Sequence, residues 1–193
     1  DHSDPDVVYF ESNGDIYKTT DGGNSWSTIG DAAFTSVSHG CKDIVMHPSN
    51  SSILYLTSDE GFYRTTDGGA NWTQIMAGNF QEIEINPADS NIIYTIKQPG
   101  DSTEFYKSTD GGLNFTRKTN GWPTPGTGNE QKRTEIATTP ADANMIYALA
   151  TGAANGGSGL YGIYTSTDAG ETWSRTCCGP QPAGVPNAAT NPN

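Results

Sequence analysis

The chain has 193 residues, of which 33% are hydrophobic and 23 are glycine, and its formal net charge is −12 at pH 7. Only ten residues are Lys or Arg, so the sequence lacks the basic clusters that nucleic acids and anionic membrane surfaces attract. No apolar run approaches the roughly 20 residues that cross a bilayer, and the composition therefore excludes nucleic-acid binding and direct membrane insertion.

Strand signals begin at Val7-Val8-Tyr9-Phe10 and recur to about residue 176. They are runs rich in Val, Ile, Tyr and Thr, broken by Pro, Asn, Asp and Gly, and no stretch has sustained helical periodicity. The runs group into four similar units at about 7–36, 41–78, 81–120 and 133–176. Residues 177–193, rich in Pro, Ala and Asn, are interpreted as a tail or a connector to further sequence.

The last three units open with a strand that ends at a proline turn. The second unit begins with Asp43-Ile44-Val45-Met46 before Pro48, the third with Glu82-Ile83-Glu84-Ile85, and the fourth with Glu135-Ile136-Ala137-Thr138. The first unit starts instead with Val7-Val8-Tyr9-Phe10, which matches the second strand of the later units. We therefore predict that the first unit lacks its innermost strand.

A short pattern recurs once in every unit: Ser or Thr, then Asp two residues later, then Gly, then an aromatic residue. The steps between its Asp residues are 46, 43 and 58 residues, which suits a blade of four short strands. Asp accepts hydrogen bonds from the amides that follow it and Gly tolerates positive φ, so each copy predicts a tight hairpin turn. The aromatic residue is expected to pack over the turn and join neighbouring hairpins. The residues with these structural roles are Asp21, Gly23, Trp26, Asp67, Gly69, Trp72, Asp110, Gly112, Phe115, Asp168, Gly170 and Trp173.

This pattern resembles the Asp-box, or BNR repeat, Ser/Thr-x-Asp-x-Gly-x-x-Trp/Phe. The whole unit is similar to a blade of the BNR-type β-propellers, a family with sialidases, xyloglucan-cleaving glycoside hydrolases, the sortilin luminal domain and secreted bacterial surface proteins. The resemblance implies an all-β fold of propeller blades, each of four antiparallel strands with an Asp-box hairpin at its periphery. With the polar composition, it also implies a secreted or cell-surface bacterial protein.

The number of strands predicts a partial propeller. After Trp173, where a further inner strand would close the ring, the chain continues with Cys177-Cys178-Gly179-Pro180. An open propeller has unpaired strand edges, which natural proteins usually cover. We therefore expect further blades of the same polypeptide to complete the ring, and a four-bladed ring with an unusual closure is the alternative.

Four carboxylates on or beside the predicted inner strands are the only candidates for glycosidase chemistry, and they are Asp43, Glu82, Glu84 and Glu135. Three of them recur at equivalent positions in successive units, which indicates an architectural role, and Glu84 has no evident partner. The resemblance to sialidases would require three arginines around a substrate carboxylate, but only Arg133 lies near an inner strand. We therefore assign no catalytic residue. The alternative is a xyloglucanase-like or sialidase-like glycoside hydrolase with catalytic groups partly outside this segment.

Two insertions into the repeat, at 119–130 and 151–159, are the candidate binding loops. They contain the candidate ligand-binding residues Trp122 and Asn155. Trp122 is the only Trp outside a box, and its ring either stacks on a sugar or a protein partner, or fills the gap between blades. The expected function is a non-catalytic binding or structural module whose partner is a protein or a surface polysaccharide.

The cysteines leave two pairings open. Cys177 and Cys178 are adjacent and form a candidate vicinal disulfide, whereas Cys41 could pair with either of them in an oxidising compartment. The Cys and His spacing fits no metal site, and no cofactor is expected. Ser102, in Asp101-Ser102-Thr103, is a candidate O-glycosylation site because the triplet is similar to the short acceptor used by Bacteroidetes.

Overall fold

The computed structural model describes residues 1–12, 14–30, 40–124, 130–154 and 157–177, and all regular elements in these ranges are β-strands. The strands form four antiparallel sheets, which we call blades 1 to 4 in chain order. This arrangement confirms the all-β fold and the partial propeller predicted from the sequence. In the same ranges, no helix has the length and hydropathy to cross a membrane.

The strands of each blade follow one another in sequence and pair with their sequence neighbours. Blade 1 contains β1 (Val8–Ser12), β2 (Asp15–Thr19) and β3 (Ser27–Ile29). Blade 2 contains β4 (Cys41–Met46), β5 (Leu54–Ser58), β6 (Gly61–Thr65) and β7 (Thr73–Ala77). Blade 3 contains β8 (Phe80–Ile85), β9 (Ile93–Lys97), β10 (Glu104–Ser108) and β11 (Thr116–Lys118). Blade 4 contains β12 (Glu130–Thr138), β13 (Ile146–Ala154), β14 (Gly157–Ser166) and β15 (Ser174–Cys177).

The inner strands set the order of the blades. Strands β4, β8 and β12 lie side by side, so that blades 2, 3 and 4 are neighbours, and β1 contacts β4. Blade 1 has three strands among the described residues and begins with β1, which corresponds to β5 and β9 of the later blades. The inner strand that the sequence lacks in the first unit is thus also missing from the described sheet.

The hydrophobic core lies between blades, because side chains alternate between the two faces of each sheet. We call the face toward the preceding blade the leading face and the face toward the following blade the trailing face. The leading face of blade 2 contributes Leu54, Leu56 and Trp72, which pack against Ile16 of blade 1. Similar clusters join blade 2 to blade 3 and blade 3 to blade 4. Stability therefore comes from stacking each blade on its neighbour.

Candidate functional site

The Asp-boxes form hairpin turns that share one hydrogen-bond pattern. In the second box, the Asp67 carboxylate accepts hydrogen bonds from the Thr65 hydroxyl at 2.8 Å, the Asn71 amide at 2.9 Å and the Asn71 side chain at 2.7 Å. Equivalent bonds form in the other three boxes. The Asn71 side chain, followed by the Asn71 amide, lowers the pKa of Asp67 to about 2. The box carboxylates therefore accept hydrogen bonds within their own turns.

The inner-strand carboxylates connect neighbouring blades. Asp43 Oδ2 on β4 accepts a hydrogen bond from the Ile83 amide on β8 at 3.0 Å. Glu84 Oε2 on β8 accepts one from the Thr138 hydroxyl on β12 at 2.8 Å. Burial raises the pKa of Asp43 to about 6 and also raises that of Glu84.

Glu82 on β8 and Glu135 on β12 interact across the gap between blades 3 and 4. Burial and the hydrogen bond to Glu135 raise the pKa of Glu82 to about 9, so this carboxyl is protonated at neutral pH. The hydrogen bond from Glu82 and the ion pair with Arg133 lower the pKa of Glu135. Hydrogen-bonded carboxyls lie closer together than the separation of about 5 Å or more that glycosidase pairs use.

The arginines lie on different blades and strands. Arg64 is on β6, Arg117 on β11 and Arg175 on β15, all in the outer half of their sheets, and Arg133 is on the inner strand β12. Arg133 is paired with Glu135. In the ranges described here, the structure therefore does not bring three arginines together as a sialidase-like carboxylate site would require.

A groove of about 550 Å³ opens between the inner strands of blades 2 and 3, and we call it the inner groove. Val45 and Met46 at the end of β4 line one side, and Ile83 and Ile85 at the end of β8 line the other. The rim consists of residues from the two proline turns, namely Pro48, Ser49, Pro87, Ala88 and Ser90. Sequence analysis missed this groove, although the recurring prolines mark its rim. His2, Glu84 and Asn86 also line the groove, so its mixed surface suits the apolar face of a sugar ring together with its hydroxyl groups.

Trp122 is buried, which favours the second of its two interpretations, a ring that fills the gap between blades, over a ring that stacks on a ligand. Its indole lies between Phe105 of blade 3 and Trp173 of blade 4, with ring centroids 5.3 and 4.9 Å away. Its Nε1 donates a hydrogen bond to the Thr103 carbonyl at 2.8 Å. The ring thus occupies the gap between blades, which was the other interpretation of this residue, and it offers no free face to a ligand.

The remaining candidates are only partly described. Asn155 and Cys178 lie outside the described residues, so the ligand-binding role of Asn155 and the pairing of Cys178 stay predictions. Cys177 is disulfide-bonded, whereas Cys41 has a free thiol, so the alternative pairing of Cys41 is not formed. The Ser102 hydroxyl lies in the loop between β9 and β10, and its glycosylation stays a prediction. No group of three or more His, Cys, Asp and Glu side chains in the described ranges is arranged to hold a metal ion.

Two family models match the chain. The model described as "Sortilin, neurotensin receptor 3" matches residues 14–124, and the model described as "BNR/Asp-box repeat" matches residues 164–175. These matches confirm the resemblance inferred from the four boxes. No curated protein matches the sequence.

Solved propellers share the fold at low sequence identity. An ancestral GH74 enzyme is 20% identical with a TM-score of 0.74, over 94% of this chain and 23% of the enzyme. The GH74 enzyme of Niastella koreensis is 21% identical with a TM-score of 0.59, over 90% and 28%. YCF48 from Cyanidioschyzon merolae is 16% identical with a TM-score of 0.58, over 92% and 54%. The chain thus spans between about a quarter and about half of the length of these proteins.

Proposed function

The chain belongs to the Sortilin-Vps10 family, and from this membership we propose that it is a non-catalytic binding or structural module within a larger BNR-type propeller. The proposed setting is a secreted or cell-surface bacterial protein. The proposed partner is a protein or a surface polysaccharide, together with further blades of the same polypeptide.

The observation that carries this proposal is the use of the inner-strand carboxylates. Asp43 binds the Ile83 amide and Glu84 binds the Thr138 hydroxyl, so both side chains hold neighbouring blades together. Burial and the hydrogen bond between Glu82 and Glu135 raise the pKa of Glu82, so this pair also joins neighbouring blades. The carboxylates that a hydrolase would need are thus used to join blades.

Three further observations support the proposal. The description of the family model names a receptor, neurotensin receptor 3, and receptors are binding proteins. The chain covers only 23% of the ancestral GH74 enzyme it resembles, so it corresponds to a part of such a propeller. The disulfide at Cys177 is compatible with an oxidising compartment outside the cytoplasm.

The inner groove is the binding surface that we propose for this module. It lies between two inner strands, its lining combines apolar side chains with the polar side chains of Glu84 and Asn86, and turn residues form its rim, a combination typical of preformed ligand sites. Ala88 is exposed on the rim, in the turn that follows Pro87. An arginine side chain at this position would extend into the groove without disturbing a buried residue.

A paired binding and hydrolysis assay tests the proposal. The chain is incubated with a panel that contains xyloglucan, sialylated oligosaccharides and bacterial surface polysaccharides, and both retention and release of new reducing ends are measured. We expect retention of at least one polysaccharide without new reducing ends, and weaker retention for Ala88→Arg.

The matched control is Ala141→Arg, which places the same side chain at the equivalent exposed position of the blade 4 turn. Equal effects of both substitutions would remove the inner groove from the proposal. Release of reducing ends that is abolished by Glu84→Gln would instead establish the glycoside hydrolase alternative.

A further inference from the structure

The inner groove contains a carboxylate that no cation of the protein neutralises. In the described ranges, Glu84 and His2 are the titratable side chains of its lining, which contains no Lys or Arg. Glu84 is half-buried, and its carboxylate accepts a hydrogen bond from the neutral hydroxyl of Thr138. Burial and contacts with Thr138 are the influences on the pKa of Glu84, and no described cation contributes to them.

Two neighbouring carboxyls add to the negative charge at this point. Burial is the main reason for the raised pKa values of Asp43 on β4 and Glu82 on β8, and the charge of Glu84 raises both further. Arg133 on β12 does not compensate this charge, because it forms an ion pair with Glu135. The inner strands beside the groove therefore carry more negative than positive charge.

Burial makes the charge of Glu84 sensitive to what enters the groove. The raised pKa of Glu84 means that its ionised form is less well stabilised than it would be in water. A cation in the groove would replace part of the lost solvation, whereas an anion would meet a like charge in a partly desolvated site. The groove should therefore select its ligands by charge.

The proline turns around the groove have the same sign of charge. The turns that follow β4, β8 and β12 are residues 47–52, 86–91 and 139–144, and their inner strands lie side by side. The turns contain the carboxylates of Asp89 and Asp142 and no Lys or Arg. A ligand that approaches the rim therefore meets negative charge before it reaches Glu84.

The Asp-boxes of blades 2 and 3 lie next to these turns. In both blades, a backbone amide of the box donates to a carbonyl of the proline turn at 2.9 Å. Hydrogen bonds within the boxes lower the pKa of Asp67 and Asp110 to about 2, so both carboxyls are ionised at neutral pH. Arg64 reaches the third box, where its Nε donates to the Gly111 carbonyl at 2.9 Å, but its single charge does not balance these carboxylates.

The remaining lining determines which kind of cation fits. The apolar walls of the inner groove suit the CH-rich face of a pyranose ring, and the Ser49 and Ser90 hydroxyls can pair with ring hydroxyls. A sugar ring with a primary amine combines these contacts with a positive charge for Glu84. A lysine side chain supplies the charge and an apolar stem but has no hydroxyl groups for the two serines.

We propose that the inner groove binds a polysaccharide with unsubstituted amino sugars, and that an ammonium group of this polysaccharide pairs with Glu84. This inference rests on the proposed function, because it names the class of ligand for the same groove. It predicts that polysaccharides with free amines bind more tightly than neutral ones, and that neutral ones bind more tightly than sialylated ones. A basic protein segment is the other ligand with a suitable charge.

Two tetrasaccharides that differ in one substituent test the proposal by isothermal titration calorimetry. The tetramers of glucosamine and of N-acetylglucosamine have the same rings and linkages, but only the first has primary amines, which are largely protonated at about pH 7. We expect the glucosamine tetramer to bind at least about tenfold more tightly at low ionic strength. Raising the salt concentration to about 0.5 M should reduce this preference, because salt screens the charges around the rim.

Charge-neutral variants identify the carboxylate that is responsible. Glu84→Gln retains an acceptor for Thr138 but removes the charge, so the preference for the glucosamine tetramer should fall below about threefold. The matched control is Glu130→Gln, which removes a partly exposed charge at the start of β12, at the opposite end of that strand from its proline turn. This control should retain the preference. Circular dichroism and thermal unfolding verify that both variants are folded.

A third variant adds charge on the rim and does not depend on Glu84. Ala88→Glu should strengthen binding of the glucosamine tetramer, whereas Ala88→Gln should leave it unchanged, because the two side chains have similar size and differ in charge. Binding of the N-acetylglucosamine tetramer should be the same in both variants.

Three results would overturn the proposal. One is equal affinity of the unchanged chain for the two tetramers, and another is a preference that persists in folded Glu84→Gln. The third is binding of a lysine-rich peptide without binding of the glucosamine tetramer, which would assign the groove to a protein partner. Each of these results leaves the proposed binding module intact, because that function fails only when the chain retains neither a polysaccharide of the panel nor a protein.

Discussion

The Asp67 carboxylate stabilises its turn in the ionised form, so its contribution depends on pH. Asp67→Ala removes the acceptor for Thr65 and Asn71 and should lower the free energy of unfolding by about 1 kcal/mol at neutral pH, since the turn is exposed. The folded pKa of about 2 lies below the ordinary 3.8, so the contribution is present above pH 3.8 and is lost as pH falls toward 2. Urea unfolding of both proteins at pH 7 and near pH 2 measures the difference. An equal difference at both pH values would contradict this account.

The box residues were predictable from the sequence because their contacts are local. Asp67 binds residues within four positions of itself, so the spacing of Thr, Asp, Gly and Asn already specifies the turn. The position of Trp122 was not predictable in the same way. It is buried by Phe105 and Trp173, which are distant in the sequence and become its neighbours only when blades 3 and 4 pack together.

Trp122 and Trp26 provide a comparison of a covered and an uncovered aromatic residue. Trp122→Ala should lower the free energy of unfolding by about 3–5 kcal/mol, because it leaves a cavity between two blades. Trp26→Ala should cost only about 1 kcal/mol, because 41% of that side chain remains exposed in the folded chain. Chemical denaturation of the two variants measures both values. Similar losses would contradict the assignment of Trp122 to the interior.

At the scale of elements, the inner strands are joined by carboxyl groups whose protonation affects stability. The folded pKa of Glu82, about 9, lies above its ordinary value of 4.5. The unfolded chain therefore releases this proton at a lower pH than the folded chain, and stability falls as pH rises from 4.5 toward 9.

Replacing Glu82 with Gln should remove this loss of stability at rising pH. The Gln amide can still donate a hydrogen bond to Glu135, but it cannot ionise. Because Glu82 is only half-buried and solvent screens its charge, we expect a gain of about 1 kcal/mol, or about 2–4 °C in Tm, near pH 8. Calorimetry between about pH 4 and 9 measures the effect, which should vanish at the acidic end. A Tm of Glu82→Gln that follows the same pH dependence as the unchanged chain would show that Glu82 is ionised in the fold.

The inner strands themselves were predictable, but the contacts between them were not. The runs that begin at Asp43, Glu82 and Glu135 predicted the strands β4, β8 and β12. The absence of such a run in the first unit predicted that blade 1 lacks an inner strand. The carboxyl contact between Glu82 and Glu135 depends on the register of two strands and on the spacing of two blades. The periodicity of the sequence specifies neither the register between the strands nor the distance between the blades.

At the scale of the whole molecule, the described ranges form part of a ring. Its two end faces are the leading face of blade 1 and the trailing face of blade 4. Val8, Phe10 and Trp26 of blade 1 are 40 to 42% exposed, whereas their equivalents in blade 2, Leu54, Leu56 and Trp72, are at most 8% exposed. Membership of a propeller family and coverage of only 23% of the ancestral GH74 enzyme agree with this arrangement. We therefore expect the native assembly to cover both faces with further Asp-box blades.

The mass of the native particle, isolated from its source and measured by native and denaturing mass spectrometry, tests this expectation most directly. The account predicts a particle with more than four Asp-box blades, which come from a longer polypeptide or from several copies. A native particle with the mass of one 193-residue chain would leave both end faces uncovered and would contradict the account.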